Sequence, residues 1–467
     1  MNVQKMKGEK TGLLDMSHGT VAFDSVLLMI LVMISLDLTL PYAFDQLEHA
    51  HFLETVPFLR PFMIPGGTPH PLVILGQELA PFRLLLRTVS IFICILYLLL
   101  DFVRGRTEFL KNSLLGVLIF LHVLLPTFLF MTHRVLTGSH DLAHDGGVLQ
   151  IEESMRMVLE GRNPYSEDFT GTPLDGWRGF RNNIVYHLPY MPGAFLTSLP
   201  VYACFRLLNL SYDQRMIHMI ALVVMVYVVF GILRRRDLAR AVVIVAVLNP
   251  FFSRFFILGS NDVILMALLM TTVLCLNREM TVRAFACLGV ACAIKQFAWF
   301  FVPFFILHLP KPEPFRILPM LLHHQRALLT GLVVFTGFVL PFLAMDPGCF
   351  WQDTFQYAGG GLPTSYPMQG FHGFGFATVL LFLRIVPDGS ASFPFGVIQV
   401  ATAALFLILF FRSVRKLPLT LASSTTGASL LLFIFLFFSR YLHANFLGVV
   451  AVWPFLAWCL KADTPEV

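Results

Sequence analysis

Apolar stretches close to bilayer-crossing length recur along the chain, and they limit its fold more than any motif does. Ten are expected as full spans: 21–40, 84–103, 114–132, 214–233, 239–257, 262–277, 327–345, 394–411, 418–438 and 444–460. A helix needs roughly 20 apolar residues to cross the hydrocarbon core, and it satisfies every backbone group within itself. Hydrophobic residues make up 57% of the 467 and charged residues 13%, whereas soluble domains run near half apolar and a quarter charged. The fold class is therefore an all-α polytopic membrane protein. A net charge of +5 is small for this length; it points away from nucleic acid and toward basic loops that orient helices. Six of the seven cysteines fall in apolar segments and only Cys349 in a loop, so no disulfide framework or paired metal motif is available.

The basic segments "RGRTEFLK" (104–111), "RRRDLAR" (234–240), "NREMTVR" (277–283), 311–326 and "RSVRK" (412–416) should share the cytoplasmic side. That holds only if 191–208 and 373–386 dip into the membrane without crossing. Residues 284–310 must then form a hairpin of two short helices, broken at "AIKQF". Broken backbone at lipid depth is tolerated where protein or a water-filled cavity covers it. Both termini are then cytoplasmic, in a multi-pass protein of the cell (plasma or inner) membrane. The chain divides into an N-terminal part with two spans (1–113), a core (114–460) whose outer loop 133–190 is large, and a short tail (461–467).

With this topology the notable polar residues gather on the extracytoplasmic face. Residues 139–165 carry five acids, and within that segment 147–161 shows a helical pattern with Val148, Ile151, Met155, Val158 and Leu159 near one face. This reads as an amphipathic helix along the membrane surface, with Glu152 and Glu153 solvating its outer side. Asp145 immediately precedes it. A carboxylate there can take a proton from an acceptor hydroxyl as that oxygen attacks a sugar carbon; it can equally cap the helix. Asp141 is the competing base, and His140, Asp141, His144 and Asp145 together would suit a divalent metal, although no cofactor is otherwise expected. Lys295, beside Gln296 in the helix break, is an intramembrane cation and so a functional candidate, with snorkelling to the interface as the alternative. Arg440 and His443 lie at the outer end of a span, suited to phosphate or to a loop carboxylate. Asn261 and Asp262 either cap the following helix or bind sugar. Loop 346–372, ending at His372, brings glycines and aromatics that can stack on sugar or form an interfacial belt.

These segments resemble GT-C glycosyltransferases, most closely the family 87 type that uses polyprenyl-phosphomannose. The resemblance rests on Asp145, "EGRNPY" (160–165) and "YHLPYMPGAFLTSLP" (186–200). It continues through "LNPFFSRFFILGSNDVILMALL" (248–269), the lysine-bearing "GVACAIKQFAWFFVPFFIL" (289–307) and "SRYLHANFLG" (439–448). Ser260 stands where glutamine is common, and Ala444 stands in place of a glutamate. It covers roughly 114–460, with the first two spans as an addition to the core. It implies a GT-C-like bundle and inverting transfer of a hexose, mannose favoured, from a polyprenyl-phosphate donor to a lipid or glycan acceptor. Asp145 would be the base; Lys295, Arg440 and His443 would hold the donor phosphate; and His144, Tyr186, His187 and Tyr190 would line the mouth. The rival readings are a lipid-linked-sugar flippase and a non-catalytic lipid-binding membrane protein.

Overall fold

The computed structural model describes residues 21–49, 80–103, 107–140, 146–175, 183–310, 317–368, 373–413 and 419–464. Among them every regular element is helical. The principal helices are α1 (Phe23–His49), α2 (Ala80–Leu99), α3 (Glu108–Thr137), α4 (Gly146–Leu159), α5 (Leu199–Leu207), α6 (Arg215–Ile232), α7 (Arg236–Val247) and α8 (Pro250–Leu258). They are followed by α9 (Asp262–Asn277), α10 (Thr281–Ile294), α11 (Val302–His308), α12 (Gln325–Met345), α13 (Phe376–Phe382), α14 (Phe395–Ser413), α15 (Leu421–Phe437) and α16 (Ala444–Asp463).

Among the described residues six helices are long and apolar enough to cross a membrane, namely α1, α3, α6, α12, α14 and α16, or seven with the bent pair α7–α8 as one span. The sequence reading counted ten. The other stretches in that count are helical as well, but α9 and α15 have only 16 and 17 residues, short of the usual span. The expected span 239–257 is bent by 56° between α7 and α8. Pro250 lacks an N–H and holds the preceding residue extended; Asn249 adopts φ −62°, ψ 122° and its side chain accepts from the Phe251 amide. One helix therefore ends and another begins with its own cap.

The three doubtful stretches remain partial. At 1.5 Å per residue the nine residues of α5 reach only about half the hydrocarbon thickness. Both flanks of the seven-residue α13 bond to neighbouring loops at one end of the bundle: Phe374 N–H donates to the Leu442 carbonyl, and Met368 N–H to the Gly389 carbonyl. The chain from α10 to α11 breaks at Lys295, whose extended backbone (φ −154°, ψ 138°) separates α10 from a 3-10 turn, Gln296–Phe300. Leu307, near the end of α11, accepts from Leu419 just before α15.

Buried polar groups mark the two ends. At one end Arg240 Nε donates to Asp24 at 2.6 Å, Lys111 is paired with Asp101, and the amides of Arg234 and Arg235 donate to Asp463 at 2.7 and 2.8 Å. At the other, Arg134 grips Glu152 with two nitrogens and reaches Asp213 at 3.4 Å, and the Gln214 amide donates to Glu152 at 2.8 Å. Glu152 thus corrects the sequence expectation. It does not solvate α4 but is buried, as are most residues of that helix, and it ties α4 to the ends of α3 and α6. Glu153 is half-buried and paired with Arg156 at 2.7 Å. Between the ends, His122 sits in a π-helical turn of α3 and bridges Ser35 of α1 and Ser90 of α2 at 2.8 and 2.9 Å.

Candidate functional site

A cavity of about 1130 Å³ opens at the second of these ends. Its apolar lining comes from several helices and the segments between them, among them Leu38, Phe251, Phe300, Phe395, Leu431 and Phe435. Its polar part gathers Ser260, Asn261, Lys295, Gln296, Arg440, His443 and Asn445. Glycines set the packing around it: a Cβ at Gly193 would meet the Ala293 carbonyl at the end of α10, and one at Gly448 would lie 2.7 Å from the Phe251 backbone. Close backbone approach at both places brings α10, α16 and α8 to the cavity wall.

Lys295 enters from the helix break that the sequence predicts. Its ammonium is bonded to Asp262 Oδ1 and lies 4.6 and 4.9 Å from the ring centroids of Phe297 and Phe446. Asp262 Oδ2 accepts from Ser260 Oγ and from Asn445 Nδ2, each at 2.9 Å. Two residues predicted separately are thus one buried pair, and the site holds them as a neutral unit. Gln296 donates to the Thr354 carbonyl at 3.1 Å and so ties the break to the loop after α12. Asn261 occupies the position before α9, yet its side chain makes no capping bond. Its Nδ2 is buried with no hydrogen-bond partner among the described residues. An orphaned amide donor in a cavity wall is costly unless something enters to accept from it.

Arg440 is 4% exposed and neither faces a carboxylate nor stands free. It donates to three loop carbonyls: Nε to Tyr366 at 2.6 Å, Nη1 to Ala391 at 2.9 Å and Nη2 to Gly389 at 3.0 Å. Gly360, at φ +83°, packs on its stem where a Cβ would lie 2.8 Å from Cδ. His443 approaches Asn445 Oδ1 through Nδ1 at 3.0 Å and packs edge-on against Phe255, 4.7 Å between centroids.

Of the residues assigned to the mouth, Tyr190 lines the cavity, whereas Tyr186 is exposed and His187 lies behind the wall. His187 Nδ1 meets Asp353 Oδ1 and Nε2 meets Thr364 Oγ1, both at 2.7 Å, and the ring packs on Tyr357. Asp353 also accepts from the Leu188 amide at 2.9 Å. Burial raises the Asp353 carboxyl above the ordinary carboxylate range, against the His187 and Leu188 bonds, which lower it. The dyad clamps the segment after a second 3-10 turn, Asn183–Tyr186, to the loop after α12, and the His187 nitrogens are spent on that. Sequence reading missed Asp353, Asn445, Tyr42 and Arg254. Only Arg254 carried a usable signal, an arginine inside the apolar run "NPFFSRFFIL".

Asp141, His144, Asp145 and His372 lie outside the described residues. The first described helix after the acidic segment is α4, and its second residue, Gly147, lines the cavity, as does Gln150. Gln150 donates to the carbonyls of Ile184 and His187 at 2.9 and 2.7 Å. Among the described residues no three His, Cys, Asp or Glu side chains cluster as metal ligands; the four proposed from sequence include three outside that set.

The shape suits an amphiphile, since apolar and polar lining residues share one cavity. A family model, glycosyltransferase family 87, matches residues 187–439, more than half of the chain. The comparisons with curated proteins and with solved structures give no match.

Proposed function

The chain belongs to glycosyltransferase family 87, and from that premise we propose that it moves a hexose, mannose favoured, from a polyprenyl-phosphate donor to a lipid or glycan acceptor on the extracytoplasmic face, within a GT-C-like bundle. The observation that carries this reading is the shape of the cavity: an isoprenoid tail needs an apolar path between helices, and a sugar needs hydrogen-bonding groups at its end. Both are present in one continuous space.

In this mechanism Asp145 accepts the proton of the acceptor hydroxyl. The oxygen attacks the anomeric carbon from the side opposite the phosphate, the carbon–oxygen bond to phosphate breaks, and the electron pair leaves with polyprenyl phosphate. The sugar's configuration inverts. General-base assistance of this kind contributes about a hundred- to ten-thousandfold in rate. Asn261, Gln296, Tyr190 and the Lys295–Asp262 pair with Asn445 line the space for the sugar and its bridging oxygens, and His443 stands beside them. Arg440 serves by holding the loops that wall the site. A role for Asp141 or for a metal on His140, Asp141, His144 and Asp145 would appear as metal-dependent transfer or as activity surviving loss of Asp145.

The test is reconstituted protein incubated with radiolabelled polyprenyl-phosphate sugars and membrane acceptors, scored for lipid, glycan or protein product. Wild type should transfer label, and Asp145→Asn should lower the rate by at least about a hundredfold while purifying and unfolding like the parent. Full activity of Asp145→Asn would end the base assignment. Movement of intact donor across the bilayer without product would favour a flippase instead.

A further inference from the structure

Three cations line the cavity: Lys295, Arg440 and Arg254. They differ in what already holds them. The Lys295 ammonium is neutralised by Asp262, and the Arg440 guanidinium is spent on three carbonyls. Arg254 meets no carboxylate among the described residues. Its guanidinium carbon lies 3.6 Å from the ring centroid of Tyr42 and 6.0 Å from that of Phe255. We propose that Arg254, laid on Tyr42, receives the phosphate of an isoprenoid phosphate, which makes α1 part of the donor site.

Stacking uses only the face of a guanidinium. The N–H groups in its plane stay available, in the fork geometry that suits phosphate oxygens. The sequence places Arg254 where that fork matters. Pro250, Phe251, Arg254, Phe255 and Leu258 line the cavity from α8, a spacing that puts them on one helical face, and Arg254 is that face's single charge. A 56° bend separates α8 from α7. Leu38 and Tyr42 come from α1 at the four-residue spacing of neighbours on one helical face. Arg254 is exposed at the cavity wall, so its guanidinium is open to a phosphate monoester or diester that would supply the counter-charge. The neutral Lys295–Asp262 pair supplies less net attraction for an anion than Arg254 does.

The inference rests on the glycosyl-transfer reading for the identity of the lipid, but its chemistry is separable. Phosphate on a lipid has two sources here, an isoprenoid donor and an ordinary phospholipid. Full-length protein in detergent would be titrated with farnesyl phosphate, with farnesol, and with dihexanoyl phosphatidic acid as competitor. Wild type should prefer farnesyl phosphate to farnesol by on the order of tenfold or more, given a charge-assisted contact. Arg254→Gln should erase that preference while leaving farnesol affinity unchanged. Tyr42→Ala should reduce it by about fivefold, the weight of one cation–π contact, and Tyr42→Phe should restore it; a merely structural role for Tyr42 would move farnesol affinity as well. A second readout needs no variant: phenylglyoxal modification of Arg254 in wild type, followed by mass spectrometry, should be blocked by farnesyl phosphate and not by farnesol.

An Arg254→Gln protein that keeps the preference overturns the assignment, and so does modification unaffected by farnesyl phosphate. Equal displacement by phosphatidic acid overturns it too, in favour of a general headgroup site. If no polyprenyl-phosphate sugar is turned over while Arg254→Gln still loses the preference, the transfer reading fails and the phosphate site stands. If transfer is observed and Arg254→Gln binds like the parent, only the present assignment falls.

Discussion

Lys295 and Asp262 show what a single side chain discloses before its partner is known. A lysine inside an apolar helix break is conspicuous in sequence because burying an unpaired charge costs so much. Its partner lies 33 residues away and reads on its own as a helix cap. Nothing local in the sequence joins them; the tertiary fold does. The pair's side chains are 11% and 3% exposed, so removing one partner strands the other. Lys295→Met and Asp262→Asn should each destabilise the protein by about 3 kcal/mol. The double variant should cost clearly less than the two singles added together, read from thermal or denaturant unfolding in detergent; additive losses would show that the two groups do not act as a unit. Lys295→Ala should also weaken donor binding more than acceptor binding, measured as separate affinities. Arg254 was missed, although as an arginine inside an apolar run it obeys the same rule as Lys295, and the unpaired amide of Asn261 appears only when its neighbours are in place.

At the level of elements, hydropathy found the helices but not their lengths or bends. Every expected span is helical where described, because apolar runs in a membrane have few alternatives. The distinction between a full span and a short core helix depends on where the chain turns, and α9 and α15 turn early. The break at Lys295 was legible from its polar residues; the bend before α8 was written in "NP" at Asn249–Pro250 and was taken as continuous. Helix packing was not legible at all. The contact between α10 and α12 depends on Gly289 and Gly331: a Cβ at Gly331 would lie 2.8 Å from the Phe285 carbonyl oxygen, and one at Gly289 would strike the Gly331 carbonyl. Small residues permit such close helix approach in membranes. Gly289→Ala must therefore push the two helices apart, at a cost of about 1–3 kcal/mol. Because α10 ends at Lys295, the displacement should reach the site. Lower unfolding temperature together with a loss of transfer beyond that seen for Gly337→Ala, a position with open space around it, is the expected result.

For the molecule as a whole, the sidedness argued from basic loops has a physical counterpart in how the ends are tied. The turn at Arg234–Arg235 bonds to Asp463 near the C-terminal end of α16, and Arg240 joins Asp24 near the start of α1. Both termini of the helical body, and the basic segment between α6 and α7, therefore share one end. The opposite ends of α9 and α16 carry Asp262 and Asn445 at the cavity, so the site and the arginine-rich turn are separated by the length of the bundle. Positive-inside sorting expects the arginine-rich turn on the cytoplasmic side; on that expectation the cavity would face outward, where the proposed polyprenyl-linked donor would reach it. Cysteine labelling decides this directly. With the exposed Cys204 and the half-buried Cys349 changed to serine, Arg235→Cys in intact cells should react with an impermeant maleimide only after permeabilisation. Ser166→Cys, beside Asp346 at the cavity end, should react without it. The reverse pattern would put the cavity in the cytoplasm, where the extracytoplasmic donor proposed here could not reach it, even with the cavity's geometry unchanged.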